Sequence, residues 1–353
     1  GVVNIITKDP RFAPAWSMDV AQSDVGQTTA RMAAAPTTGN LSTLVSGSVV
    51  HNDNFVDDNA DGFSDLSLDT RVSLFAKTNL YREGREALSV AVKGYFEDRY
   101  GGPEGWTEAD RGSPTLYGES IRTNRAELLA RGDLPVENLR AEGSYAFHEQ
   151  DSFYGDVGYF ATQHVGFGQL VWDPGRTGMS DWLVGASVRV DRYDDDTSAT
   201  PTADTRVIPG LIVENAIIPL SGVTVLGGMR LDHQDRHGAI FSPRLALKWR
   251  AARNTTFRAN YGTGFRVVNL FTEDHAAITG AREVIIANDL EPEQSRSIAL
   301  NANQVIEFGA KPMMVDLDVF HTRFSNKIVP DYDADPNQIV YANLSGSATT
   351  RGV

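Results

Sequence analysis

Apolar and polar residues alternate with a period of two along most of this chain, in unusually long runs. LSLDTRVSLFAKTNLY (66–81) places Leu66, Leu68, Thr70, Val72, Leu74, Ala76 and Leu80 on one side, with Asp69, Arg71, Ser73, Lys77 and Asn79 on the other. In LRAEGSYAFHEQ (139–150), Leu139, Ala141, Tyr145 and Phe147 oppose Arg140, Glu142, Ser144 and His148. The same split returns at 181–193, 222–234, 241–250, 255–265 and 311–324. Strands of soluble sandwiches run to about 5 or 6 residues. These runs are about twice as long, matching the roughly 9 to 11 residues with which a tilted strand crosses a membrane, apolar side to lipid and polar side to a lumen.

The connections alternate as well. Short ones at 37–40, 81–86, 135–138, 173–178 and 251–254 take turns with long ones rich in Asp, Gly and aromatics at 52–65, 99–120, 192–205 and 268–294. Tight turns at one end and extended loops at the other are the asymmetry of an outer-membrane barrel. The expected fold class is therefore all-β: an antiparallel transmembrane β-barrel with about sixteen strands between Ala15 and Val353, opening with a hairpin at 15–36. The absence of an internal repeat argues against a propeller or solenoid. GVVNIITKDP at the start reads as a short strand stopped by Asp9-Pro10, with no leader before it, and QIVYANLSGSATTRGV (338–353) reads as a strand ending without a turn. An open sheet edge in hydrocarbon costs several kcal/mol for each unpaired backbone group, so the expectation is a fragment truncated at both ends.

Composition narrows the function. The 353 residues contain no apolar stretch long enough to span a bilayer as a helix. With no cysteine there is neither a disulfide framework nor a thiolate metal site. A net charge of −14 argues against a nucleic-acid partner, whose phosphates demand a basic face. The acids collect in connecting segments such as VDDNADGFSD (56–65) and PDYDADPNQ (330–338). No nucleophile elbow, P-loop or dinucleotide fingerprint occurs, and no pair of carboxylates stands out, so the chain is not expected to be an enzyme.

Three stretches carry a resemblance. GVVNIITK resembles the segment that ends the N-terminal plug of TonB-dependent outer-membrane receptors and leads into their barrel. YGTGFRVVNLFTEDHAAITGAREVIIANDLEPEQS (261–295) is similar to that family's strand, extracellular loop and returning strand. Phe265 and Arg266 fit its Phe-Arg-Ala-Pro landmark, Val267 and Val268 replace Ala-Pro, Asn288, Leu290, Pro292 and Glu293 fit the second landmark, and Asp289 replaces a proline. FHTRFSNKIV (320–329) resembles a late strand ending in an aromatic, Asn and a basic or polar pair. The resemblance implies a barrel of about 22 strands around a plug, residues 1–10 being the end of the plug and 11–353 a partial barrel. It also implies uptake of a scarce ligand of the ferric siderophore, haem or cobalamin class, driven by TonB with ExbB and ExbD through a region before Gly1. The alternative class is a passive porin or structural barrel.

Candidate sites follow. Asp57, Asn59, Asp61 and Asp65 have the spacing D-x-N-x-D-G-x-x-D, with Gly62 for the sharp turn, which suits calcium; against this, the twelfth position is Leu68 rather than a carboxylate, and the other reading is an Asx-rich loop tip. His275 lies in the loop between the two landmarks, where the resemblance to the haem-transporting branch implies an iron ligand; the other reading is a solvated loop histidine. Trp106 and Tyr100 are candidate ligand contacts among aromatics (Tyr117, Phe153, Tyr154, Tyr159, Phe160) that otherwise read as an interfacial girdle. Arg111, with Arg99, suits an anionic ligand, although Glu97, Asp98, Glu104, Glu108 and Asp110 are placed to neutralise both.

Overall fold

In the computed structural model the described residues are 7–196, 200, 202–267, 283–286, 290–309, 311–335 and 338–353. Among them are 21 strands, two single 3-10 turns and no helix able to cross a membrane. The strands open with β1 (Trp16–Gln22), β2 (Thr28–Ala34), β3 (Thr37–Thr38), β4 (Leu41–Asn52), β5 (Leu68–Arg82), β6 (Arg85–Gly101) and β7 (Glu119–Asp133). They continue with β8 (Leu139–Tyr154), β9 (Val157–Trp172), β10 (Arg176–Thr177), β11 (Ser180–Asp195), β12 (Asp204–Leu220), β13 (Val223–Gln234) and β14 (Gly238–Ala252). The last are β15 (Thr255–Arg266), β16 (Glu283–Ile286), β17 (Glu293–Phe308), β18 (Lys311–Ser325), β19 (Ile328–Asp335), β20 (Gln338–Asn343) and β21 (Ser347–Gly352). Setting aside the two-residue strands and the small sheet of β16, β19 and β20 leaves sixteen, the number the alternation predicts.

The chain divides into two units, Gly1–Leu134 with Arg140–Gly168 and Arg189–Arg206, and Pro135–Leu139 with Gln169–Val188 and Val207–Val353. In the first, β1, β2, β4, β5, β6, β7 and β8 pair in succession, all antiparallel. One continuous row there runs Val45, Ala76, Val92, Leu128, Tyr145 across five strands. In the second, β12, β13, β14, β15, β17, β18 and β21 form a second antiparallel ladder. Its matching row is Val225, Leu247, Ala259, Leu300, Val319.

Burial is inverted relative to a soluble domain. Asn79, Ser152 and Asp232 are fully buried at 0%, whereas Leu74 is 62% exposed and Phe241 58%. Large apolar side chains stand exposed in rows while polar ones are enclosed, so the apolar face needs a non-aqueous covering. On β14 that face runs from Phe241 through Pro243, Leu245 and Leu247 to Trp249. Those positions span about 26 Å of strand, close to the height of a membrane band of about 25 Å. Trp249 packs on Phe257 of β15 at 5.6 Å, closing the band near the short turn.

Two expectations change. The run 338–353 is not one strand: Gly346 takes φ +134°, a conformation only glycine adopts without strain, and the chain breaks there into β20 and β21. β20 pairs antiparallel with β19 and parallel with β16, so one ladder departs from the antiparallel rule. Nor is the division of loop lengths strict. β8 passes to β9 through Gly155-Asp156, and β13 to β14 through three residues, although both connections lie at the long-loop end.

Candidate functional site

In the first unit the loops after β4 and β6 are joined. Phe63 bridges Pro103, Ser64 N–H donates to the Gly102 carbonyl (3.0 Å), and Glu104 N–H donates to that of Gly62 (3.3 Å). Trp106 forms the interior of this loop pair, 7% exposed and 5.2 Å from the Tyr100 ring. Gly118 makes that possible, since a Cβ there would lie 2.3 Å from Trp106 Nε1. Trp106 is therefore a buried anchor of the loop pair.

Arg111 is likewise committed. Its guanidinium donates to Asp151 Oδ2 (3.0 Å), the Asp151 carbonyl (2.8 Å) and Ser120 Oγ (2.8 Å), and sits 4.8 Å from the centre of the Phe153 ring. These contacts tie the loop to β7 and β8. Nearby, Glu108 accepts from Arg122, and that hydrogen bond holds its carboxyl below the usual range.

What the loop pair leaves open is a cavity of about 360 Å³ lined by Phe63, Arg99, Tyr100, Tyr117, Glu119 and Ile121, among others. Tyr117 O–H donates to Glu119 Oε1 (2.7 Å), which pushes the phenol up to about 12, so it stays a neutral donor at any physiological pH. Arg99 has no ion pair or hydrogen bond from its side chain among the described residues. Asp69, directly across the ladder, turns instead to Arg71 at 2.5 Å. Of these two, Arg99 is the one left free among the described residues and Arg111 is the neutralised one; spacing alone does not separate them.

The acidic loop uses its oxygens on its own backbone. Asp57 accepts from the N–H groups of Asp61 (3.2 Å) and Gly62 (2.9 Å), and Asn59 from Asp61 N–H (3.0 Å). Asp61 accepts from Phe63 N–H (2.8 Å) and Asp65 from Asp58 N–H (2.6 Å). Among the described residues no three His, Asp or Glu side chains gather as a metal site. In this arrangement the loop oxygens make the Asx turns of the other reading.

The second unit brings the sequence landmarks together. Arg266 ends β15 and pairs with Glu293 at the start of β17 (2.8 Å). Glu293, 6% exposed, also accepts from Ile328 N–H (2.9 Å) and Lys327 Nζ (3.4 Å). Asn343 Nδ2 donates to the carbonyls of Glu291 (3.0 Å) and Asn326 (2.7 Å), and Asn326 donates to Glu291 Oε2 (2.8 Å). Three motifs distant in the chain are one polar node that fastens the small sheet to the long strands. His275 lies outside the described residues.

Two further points concern residues read from sequence alone. Phe153 and Phe160 stack edge to face at 5.6 Å, but Tyr154 and Tyr159 lie on the polar face, with Tyr159 1% exposed and its hydroxyl 2.6 Å from that of Tyr193. They are not girdle residues. At the short-turn end, Asp9 accepts from Arg11 N–H (2.9 Å), its guanidinium (2.9 Å) and Tyr81 O–H (2.8 Å), a contact no motif signals.

Comparisons with known proteins agree with this geometry. A family model described as TonB dependent receptor-like, beta-barrel matches residues 8–353. The chain is 24% identical over 345 residues to an iron-regulated outer membrane virulence protein of Vibrio cholerae, covering 93% of this chain and 50% of that protein. It thus spans about half the length of the curated relatives it matches. Among solved structures it is similar to the siderophore receptor PirA of Pseudomonas aeruginosa (TM-score 0.68, 16% identity, 96% of this chain and 60% of that one). It is similar also to the ferric enterobactin receptor of the same organism (0.69, 16%, 96% and 58%) and to the FrpB iron transporter of Neisseria meningitidis (0.68, 13%, 98% and 64%). At these identities the structural likeness speaks to the fold alone.

Proposed function

The chain belongs to the TonB-dependent receptor β-barrel family of the outer membrane, and on that premise we propose that it is the barrel part of an active importer of a ferric siderophore. Residues 1–10 serve as the end of a plug and 11–353 as barrel, and TonB with ExbB and ExbD supplies the energy through a region N-terminal to the barrel. The family is one of receptors and transporters rather than an enzyme class.

One observation carries the choice of ligand class: the cavity between the loops offers an uncommitted guanidinium, Arg99, beside two tyrosines and Phe63. A cation flanked by aromatic faces suits an anionic, ring-bearing chelate through charge-assisted hydrogen bonds and stacking. The relatives named as siderophore and ferric enterobactin receptors support the same class. In this reading Tyr100 and Tyr117 line the ligand and Glu119 orients the Tyr117 hydroxyl.

The test uses the full-length gene product. Binding of a ferric tris-catecholate, haem and cobalamin is followed by quenching of intrinsic fluorescence, for the native protein and Arg99→Gln. The catecholate should bind, and the variant should bind it about tenfold more weakly, as expected for loss of one charged hydrogen bond. Unchanged binding by the variant removes Arg99 from the site. Retention of haem, abolished by His275→Ala, assigns the haem class instead. Retention of no ligand, with an open conductance in planar bilayers, assigns a pore.

A further inference from the structure

We propose that the apolar face of the second unit carries a binding site for the phosphate-bearing headgroup of a membrane lipid, centred on Arg296 and Arg323. The two arginines stand directly opposite each other on β17 and β18. Like charges in that position repel and destabilise a sheet unless an anion lies between them. Among the described strands the neighbours on this face are as follows. In the same row are Thr263 of β15 and Thr349 of β21. The row toward the long loops holds Phe265, Gln294, Ser325 and Ser347. The row on the other side holds Tyr261, Ile298, His321 and Arg351. Of these, none is acidic and one is a third arginine, and among the described residues neither Arg296 nor Arg323 has an ion pair or hydrogen bond from its side chain.

The first unit treats its cations differently at the corresponding end of its strands. There Arg122 is paired with Asp98 (3.3 Å) and Glu108, and Arg111 with Asp151. In the strands from β15 to β21, by contrast, two arginines face each other across one ladder with no carboxylate between them among the described residues, in a chain of net charge −14.

Their position says what anion they meet. Past the Ile298 and His321 row lie Leu300 with Val319, then Ala302 with Leu317, outward apolar rows that contact acyl chains. Four residues beyond Leu300 and Val319, about 13 Å along the strands, Arg296 and Arg323 sit at headgroup depth, where guanidinium and phosphate make bidentate contacts. Beside Arg296 a cavity of about 350 Å³ is lined by Phe241, Pro243, Tyr261, Phe265 and Gln294, among others. It exists because β14 and β15 part company: their ladder stops at Arg244 opposite Gly262, while β14 stays with β13 and β15 with β17. Pro243, the next residue, has no N–H to continue it. The cleft gives the lipid's apolar part a place beside the cationic pair. This reading depends on the outer-membrane setting and not on import.

The full-length gene product in detergent micelles is titrated with dioleoyl phosphatidic acid, dioleoyl phosphatidylcholine and inorganic phosphate, and bound species are counted by native mass spectrometry. Phosphatidic acid should bind in preference to phosphatidylcholine. Arg296→Gln with Arg323→Gln should weaken it about thirtyfold, the loss expected for two interfacial cations. The corresponding pair of lysine substitutions should retain most of the binding. Arg258→Gln, on the opposite face and hydrogen-bonded to Asn301 (2.7 Å), should change nothing, which controls for damage to the barrel. The proposal is overturned by any of three results: an undiminished preference in the double glutamine variant, displacement of the lipid by inorganic phosphate at equal concentration, or self-association through this face in place of lipid binding.

Discussion

Asp9 takes hydrogen bonds from Arg11 and from Tyr81, and the Arg11 guanidinium lies 3.7 Å from the centre of the Tyr81 ring. The arginine hydrogen bond above all, with Tyr81 adding to it, lowers the carboxyl from 3.8 to about 2. A depressed carboxylate stabilises the folded form fully above its unfolded value and loses that contribution as pH falls through the folded one. The attachment of this segment to β5 should therefore hold at pH 5 and weaken between about 4 and 2. Hydrogen exchange of the Arg11 amide, which donates to Asp9, reads this directly: protection should fall across that window, and a flat profile refutes the coupling. The same scale explains why Arg99 and Arg111 look alike in sequence. Twelve positions apart in an acid-rich stretch, they are separated only by Asp151, which belongs to another strand, reaching one of them.

At the scale of elements, Glu293 acts as a fastener. It joins β15, β17 and the start of β19 through Arg266, Lys327 and the Ile328 N–H while being almost wholly buried. Removing the carboxylate leaves the Ile328 N–H unpaired and frees Arg266 and Lys327 to water, at a cost of about 1 to 3 kcal/mol. Glu293→Ala should accordingly release β19 and β20 well before the long strands unfold. Proteolysis within 328–343, with the 16-residue β17 still protected, is the expected result; cleavage only on global unfolding counts against the node. The long strands themselves were legible because a period of two sustained over about fifteen residues is the mark of a pleated strand with two unlike faces. The small sheet was not, since its strands of 4, 8 and 6 residues draw their partners from different loops. The parallel pairing of β16 with β20 has no local sequence signal at all.

For the whole molecule the governing fact is the solvent on the apolar face. Leu247 lies in an outward row, 40% exposed, and Ala246 beside it points to the polar face. Leu247→Arg should cost about 2 to 4 kcal/mol when the barrel is in lipid, and Ala246→Arg much less. Urea unfolding from lipid vesicles measures both, and equal costs would mean that the two faces share one environment. Sequence by itself determined the all-β class, the sixteen long strands, the two faces and the family resemblance, because alternation and strand length are local properties set by the pleat and by the thickness of a membrane. Tertiary structure decided what those properties do not encode: which cations are neutralised, that Trp106 faces inward, that three remote motifs meet at Glu293, and that β14 and β15 separate above Arg244. Each depends on a partner supplied by another strand or loop, and only the fold brings such partners within reach.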